Sequence, residues 1–391
     1  MRTSLLVVVT ACFVAPPTGA TGQELPAEAA ALFPAAVPEA EPAVMEDLPP
    51  PDCPHGHWSV AGEYLIWFLR EGRVPPLLTT SSFSSGGRLG QPDTQVLYGD
   101  DRLQTRHDDR FVGTRVTLGW TNAAQTFGVE GRAFFLERDS TYFKAVSDGT
   151  TLLARPYFTP DGTAASEVIA GPTALGLADG GFVGYSRIEL FGEEANAVVP
   201  LAAGGALCCD LLAGARFLQM RDCLDLTATG HVLPDRAALF GLEDHFRVHD
   251  AFYGGQVGLR GRGTWGNWVV DLRGTAALGG DDQQIQTSGG RLYQTPFQRT
   301  VVNTGLLVQP GNTGTFERGR VDFVGEAAAN LGYRLTRHAC VFVGYTFLYW
   351  NNPVRAGDQA DLTVNPAKTS VPFKTDAFWA QGFNVGFDLG W

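Results

Sequence analysis

The sequence predicts an all-β, transmembrane, antiparallel up-and-down β-barrel of about ten strands, within a range of roughly eight to twelve. Three observations carry that expectation. Segments of period-2 alternation recur along the chain, and helical periodicity is absent from all of them. The connections between these segments alternate between long and short, as long external loops and short periplasmic turns would. Charged side chains share one phase of the alternation, and aromatic and aliphatic side chains share the other.

Composition sets the bounds. A chain of 391 residues can bury a large core, yet only 18% of it is charged, and its 48 glycines are roughly twice the average share. Glycine at that density inside apolar alternation marks strands that bend or crowd their neighbours. The formal charge of −12 argues against a nucleic-acid partner, which requires a basic surface. It is compatible with a membrane protein that keeps its charges in loops.

The elements follow in chain order. Arg2, the apolar run from Leu5 to Ala15 broken only by Thr10, and the small residues Thr18, Gly19 and Ala20 read as a secretory signal peptide over residues 1–20. Val9-Thr10-Ala11-Cys12 also resembles a lipoprotein cleavage site. Residues 21–56 are rich in Pro, Ala and Glu and predict an extended, disordered linker. No later stretch offers the ~18 apolar residues of a transmembrane helix. Residues 57–391 are therefore the expected barrel, exported to the outer membrane. Five cysteines remain after signal removal, an odd number without framework spacing, so sequence leaves their pairing open. Cys53, His55 and His57 read either as a metal cluster or, more simply, as part of a tether.

Ten strands are predicted, at 57–69, 110–120, 126–138, 182–198, 206–229, 246–262, 267–279, 320–335, 338–350 and 377–391. Long connections cover 70–109, 139–181, 230–245, 280–319 and 351–376; short ones cover 121–125, 199–205, 263–266 and 336–337. A soluble sandwich has no reason to gather its long loops at one end.

The apolar phase includes Trp58, Val60, Tyr64, Ile66 and Phe68 in the first strand, Trp268, Val270 and Leu272 in the seventh, and Val321, Phe323, Leu331 and Tyr333 in the eighth. These should face lipid. The other phase carries Glu63, Arg115, Glu130, Arg132, Arg187, Glu189, Asp210, Arg216, Arg260, Asp271, Arg273, Glu326 and Asp388. No soluble core accepts so many ions, because one unpaired buried charge costs several kcal/mol. A barrel lumen accepts them as paired or hydrated groups. They would either brace the wall or tune a water-filled path.

In the last segment, Phe383, Val385, Phe387, Leu389 and Trp391 form the lipid-facing stripe of a strand that must pair with the first, so that no edge is left in the bilayer. The terminal aromatic resembles the signal by which barrel-assembly machinery recognises its clients, which makes that machinery an expected partner.

Gly344-Tyr-Thr-Phe-Leu-Tyr-Trp350, followed by Asn-Asn-Pro-Val-Arg355-Ala-Gly-Asp358-Gln359, resembles the seventh of the putative beta-barrel porin families, abundant in planctomycetes. Ala61 to Trp67, Phe252 to Arg260, Leu331 to Leu335 and Phe378 to Gly386 agree with it. Ala356, and Thr275-Ala-Ala-Leu-Gly279, depart from the family pattern in small ways. The resemblance covers roughly residues 57–391 and implies a barrel in the outer membrane more strongly than it implies an activity.

Signs of catalysis are weak. Gly-x-Ser-x-Gly is missing. His57-Trp58-Ser59 resembles the His-x-Ser of a lipid A deacylase, but lies at the periplasmic start of the first strand, whereas that chemistry needs the outer leaflet. His245 and His249 share a strand face and could mark a metal site near the loops. Gly258 to Gly263 has no helix behind it, and the acidic tips at Asp100-Asp101 and Asp281-Asp282 lack a calcium-loop pattern. The expectation is a non-enzyme without cofactor or metal that passes small polar solutes through a charged lumen. The alternative is a closed structural or surface-binding barrel whose external loops hold a partner or an envelope polymer. A homo-oligomer is compatible with either.

Overall fold

The computed structural model describes residues 58–100, 110–172, 177–204, 206–232 and 238–391. The expected signal peptide and linker, with Cys12, Cys53, His55 and His57, lie outside the described residues.

Ten strands form one antiparallel ring. They are β1 (Trp58–Leu69), β4 (Arg110–Thr121), β5 (Gly128–Ser147), β8 (Leu177–Gly204), β9 (Leu207–Val232), β10 (Ala238–Trp265), β11 (Trp268–Gln294), β13 (Gly314–Arg334), β14 (Ala339–Trp350) and β15 (Phe378–Gly390). Each pairs with its neighbours in chain order, and β15 returns to β1 with Ser59 opposite Gly390 and Glu63 opposite Gly386. Trp58 and Trp391 exchange both backbone hydrogen bonds, at 3.1 and 3.0 Å. Closure of β15 on β1 leaves no open strand edge in the hydrocarbon of a bilayer.

The ring is built from strands of two heights. β1, β4, β14 and β15 have 12 or 13 residues, whereas β5, β8, β9, β10, β11 and β13 have 20 to 28. All ten segments expected from the alternation exist; β5, β10 and β11 run far past their expected external ends, and β8, β9 and β13 pass theirs by three to six residues. The expected loops 139–181 and 280–319 are partly strand, and the connection expected at 230–245 shrinks to residues 233–237 between β9 and β10.

The outer face carries a belt of exposed and half-buried apolar residues. At the periplasmic rim stand Trp58, Trp120, Trp265, Trp268 and Tyr333, and at the external rim Phe135, Phe191, Phe217, Tyr253 and Phe323. Val116, Leu118, Val257, Leu259, Leu272, Leu331, Val343 and Val385 fill the space between. Ten residues of β1 connect the two rims, about 25 Å of height at the strand tilt of an outer-membrane barrel.

Above the belt the strands continue with apolar residues inward and polar residues outward, as in Phe246 and Val248 against His245, Arg247 and His249 on β10. A second sheet, β3-β2-β6-β7 (Gln95–Tyr98, Leu78–Thr80, Leu153–Phe158, Ala164–Ala170), packs there with the loops. Its Leu78, Tyr98, Leu153 and Ile169 join Phe182, Leu226, Phe246 and Ile285 of the wall and Leu307, Val354 and Leu362 of the loops in one buried core. β12 (Arg299–Val302) extends β11 as a hairpin.

Candidate functional site

The lumen is stacked in layers, because successive inward positions of the strands lie at successive heights. At the periplasmic end is a vestibule of about 130 Å³ lined by Ala61, Arg262, Asp271, Arg334, Cys340 and Asp388, among others. Arg262 reaches Asp271 at 3.3 Å and Asp388 at 3.8 Å. Ser59 lines its mouth, at the periplasmic end where the sequence put it.

One step higher lies a layer of ions bonded to one another. Arg115 contacts Glu63 at 3.2 Å and Glu326 at 3.6 Å. Arg132 bridges Glu194 and Glu326, both at 2.9 Å, and Arg216 donates to the other oxygen of Glu326. Glu130 accepts from Arg260 at 2.7 Å and from Arg273 at 2.5 Å, and Asp210 closes on Arg260 at 2.8 Å. Gln256, Asn196 and Asn384 fill the remaining positions, Gln256 donating to Glu194 and Asn384 to Glu63. Charges desolvated to this degree persist only when matched and hydrogen-bonded, and the alternation of sign across neighbouring strands supplies that match.

Directly above, the lumen is filled with apolar side chains. Leu65, Trp67, Phe111, Phe134, Ile188, Leu218, Phe252, Ala277, Val324, Leu348, Trp350 and Phe378 belong to one cluster, to which each of the ten barrel strands contributes. None of its members is more than 9% exposed. The two layers meet where the Arg115 guanidinium lies over the Trp67 ring, 5.2 Å from its centre, and over Phe134 at 5.8 Å. A bore of ten strands is narrow enough for side chains to fill it.

A third layer anchors the external loops. Inward carboxylates of the tall strands accept backbone N–H groups of segments folding into the mouth. Asp244 takes Leu306, Leu307 and Val308 at 3.3, 3.0 and 2.8 Å and Arg155 of β6 at 2.6 Å. Asp250 takes Val354 at 2.5 Å, and Asp322 takes Asn352 at 3.1 Å. Asp222 takes Arg355 Nε at 2.6 Å and the Ala356 N–H at 3.1 Å. The stretch Asn351-Asn-Pro-Val-Arg-Ala-Gly-Asp-Gln359 is therefore a plug segment, with Val354 and Ala356 fully buried. Gln359 pins its far end by donating to Arg355 and Lys374 carbonyls at 3.2 and 2.9 Å. A side chain at Gly357 would meet the Arg73 carbonyl oxygen at 2.3 Å, so only glycine passes there. Within this segment Asp358 is pushed up to about 6, by burial first and by the neighbouring Asp376, against the pull of Arg355.

Of the thirteen charges expected in the lumen, eleven face it. Arg187 and Glu189 do not. On β8 the inward positions are Phe182, Ser186, Ile188, Leu190, Glu194 and Asn196, and Arg187 and Glu189 stand on the outer wall, where both Arg187 and Arg138 contact Glu189. Phase was assigned on the premise that charge points inward, which fails above the belt, where the wall is wet outside and apolar inside. The misassigned phase of β8 hides Glu194 and the expected loop 230–245 hides Asp244, whereas Asp222, Asp250 and Asp322 share the inward phase of Asp210, Arg260 and Glu326, and only the loops they bond reveal their role. The network of lumen arginines and carboxylates lies below the apolar disc, and the inward carboxylates above it bind the loops. His245 and His249 do share the outer face, but separately engaged, with Asp225 at 2.7 Å and Gln219 at 2.5 Å. Among the described residues no group of three His, Cys, Asp or Glu side chains is placed to hold a metal ion. Cys209, Cys223 and Cys340 are free, and Cys208 is disulfide-bonded.

A family model described as "Putative beta barrel porin-7" matches residues 58–391. No curated protein matches the chain. Among solved structures, the outer membrane protease OmpT from Escherichia coli is 10% identical over 85% of this chain and 97% of its own, with a TM-score of 0.38. A FadL homologue of Pseudomonas aeruginosa is 7% identical over 85% and 89%, with a TM-score of 0.24. The CymD monoaromatic hydrocarbon channel is 8% identical over 86% and 89%, with a TM-score of 0.21. Likenesses of this degree say nothing of what the chain binds or acts on.

Proposed function

Because the chain belongs to the putative beta barrel porin-7 family of the outer membrane, we propose that it is a closed barrel whose external roof is its working surface. The observation that carries this reading is the apolar disc to which all ten strands contribute, between a self-neutralised ionic layer and an anchored plug segment. Water cannot wet such a disc without leaving Trp67, Trp350 and Phe378 exposed to it, and hydrated ions cannot cross it dry. The reading includes no catalytic step, since the lumen arginines and carboxylates engage one another. The roof, made of the second sheet and the plug segment, would meet a surface partner or an envelope polymer. Barrel-assembly machinery belongs to the reading as the partner that inserts the chain.

Passive passage of small polar solutes is the second reading. The blind vestibule and its arginines favour it, and it requires both the disc and the plug segment to move. Planar-bilayer recording of the folded full-length protein separates the two. The closed reading expects no conductance steps; reproducible steps from pure protein would overturn it in favour of passage.

A further inference from the structure

The outer wall of β5, β8, β9 and β10 changes character at the external rim of the belt. Just above Phe191, Phe217 and Tyr253, the register sets Glu189, Arg221 and His249 in one row and Arg187, Cys223 and Arg247 in the next. Arg187 and Arg138 share Glu189, at 3.5 and 2.5 Å. Arg221 and Arg247 are exposed, lie diagonally on adjacent strands, and have no carboxylate within 4 Å among the described residues. Asp222 faces inward, and Asp225, the nearest acid on the outer face of β9, is engaged by His245. Two unmatched guanidinium groups thus sit side by side at headgroup height.

Beneath them the hydrocarbon face is hollow. Gly131, Ala133, Ala195 and Ala215 stand where the rest of the belt carries large side chains, and with Val116, Leu118, Phe217 and Tyr253 they line a groove of about 520 Å³. One polar group interrupts it. Glu193 is exposed on this face, its cross-strand neighbours are Ala133 and Phe217, and its carboxylate has no ion-pair partner among the described residues. A carboxylate at that depth is costly unless a donor reaches it.

We propose that this face binds a phosphorylated glycolipid of the outer leaflet. Its phosphate sits between Arg221 and Arg247, its sugar hydroxyl or amide N–H donates to Glu193, and its acyl chains lie in the groove. Guanidinium forks match phosphate geometry, and a phosphate at the belt edge is held by charge without leaving water. The order from headgroup to chains, anion, then donor, then hydrocarbon, repeats the order of Arg pair, Glu193 and groove along the wall. A second copy of the chain fits less well, because a two-fold contact over this face would bring the arginine pair toward its own equivalent.

Native mass spectrometry of the full-length folded barrel, released from detergent micelles, tests the proposal with diphosphoryl lipid A as probe. One molecule should be retained on the wild type, and phosphatidylcholine should not be. Arg221→Gln/Arg247→Gln should weaken retention about tenfold or more, whereas Lys144→Gln, on the same wall but farther from the belt, should leave it unchanged. Excess inorganic phosphate should not displace the lipid. Both arginines are exposed, so the double variant folds, which the mobility of unheated samples on gels verifies. The proposal is overturned if the double variant retains the lipid like the wild type, if Lys144→Gln weakens it equally, if phosphatidylcholine binds as well, or if phosphate alone displaces it.

Discussion

Glu326 holds three arginines in place, accepting from Arg132 and Arg216 and lying 3.6 Å from Arg115. Replacing it by Gln removes the only carboxylate among the described residues that Arg216 pairs with and leaves buried positive charge in excess. The expected loss is about 3–5 kcal/mol, the cost of breaking a buried pair from one side. Glu189 was equally a lumen acid by sequence phase, yet it sits on the wet outer wall with the half-exposed Arg138 and Arg187. Glu189→Gln should therefore cost no more than about 1 kcal/mol. Urea midpoints of both variants in the same detergent check the assignment, and equal losses would contradict it. Asp358 gives a pH signature. Its carboxyl titrates near 6 in the folded chain against an ordinary 3.8, so folding favours the protonated form. Its contribution is therefore most favourable below about pH 4 and is lost as pH rises through about 6. The protein should melt higher at about pH 5 than at about pH 8 by a margin that Asp358→Asn reduces.

At the scale of elements, the plug segment depends on Asp222 more than on its own sequence, since Arg355 Nε and the Ala356 N–H both end on that carboxylate. Asp222→Ala leaves the Arg355 guanidinium buried without its ion partner, so residues 351–376 should loosen and become cleavable by trypsin while the barrel stays folded and silent in bilayers. Resistance equal to the wild type would show that the other anchors suffice. The C-terminal strand makes a different demand. β15 closes on β1 through Trp58 and Trp391, and removing Gly390 and Trp391 exposes the Trp58 and Ser59 edge, so we expect the truncated chain to fail to insert, as read by heat-modifiability of membrane fractions. The sequence made the existence and order of all ten barrel strands legible, because over the lower part of the belt one rule holds: apolar outward, polar inward. It hid the upper ends of β5, β10 and β11, because above the bilayer water wets the outer wall and the roof dries the inner one. There Glu243 and His245 point outward and Leu242 inward, the reverse of the lower wall, and an eye tuned to one phase reads a loop. The apolar disc was hidden for a related reason. Leu65 and Trp67 alternate with Tyr64, Ile66 and Phe68, so both faces of β1 are apolar there and periodicity has no contrast to report.

At the scale of the whole molecule, the same inversion fixes where the bilayer lies, because only a change of solvent outside the wall can exchange the meaning of the two faces. The belt runs from the rim of Trp58, Trp268 and Tyr333 to that of Phe191, Phe217 and Tyr253, and everything beyond stands in water. Val343 of β14 lies inside this band, opposite Leu331 and Val385, and is about half exposed. Ser288 of β11 points outward well above it, opposite His245. Both are outward positions on paired strands, so an arginine at either meets no clash and differs only in the solvent it enters. In a bilayer, Val343→Arg should cost about 2–4 kcal/mol and Ser288→Arg about 0–1 kcal/mol. Reversible unfolding from lipid vesicles measures both, and repeating it in micelles, whose hydrocarbon is more readily penetrated by water, should shrink the first cost and leave the second. Equal costs in vesicles would move the membrane away from the aromatic rims and, with it, the height at which the plug segment, the apolar disc and the arginine pair are set.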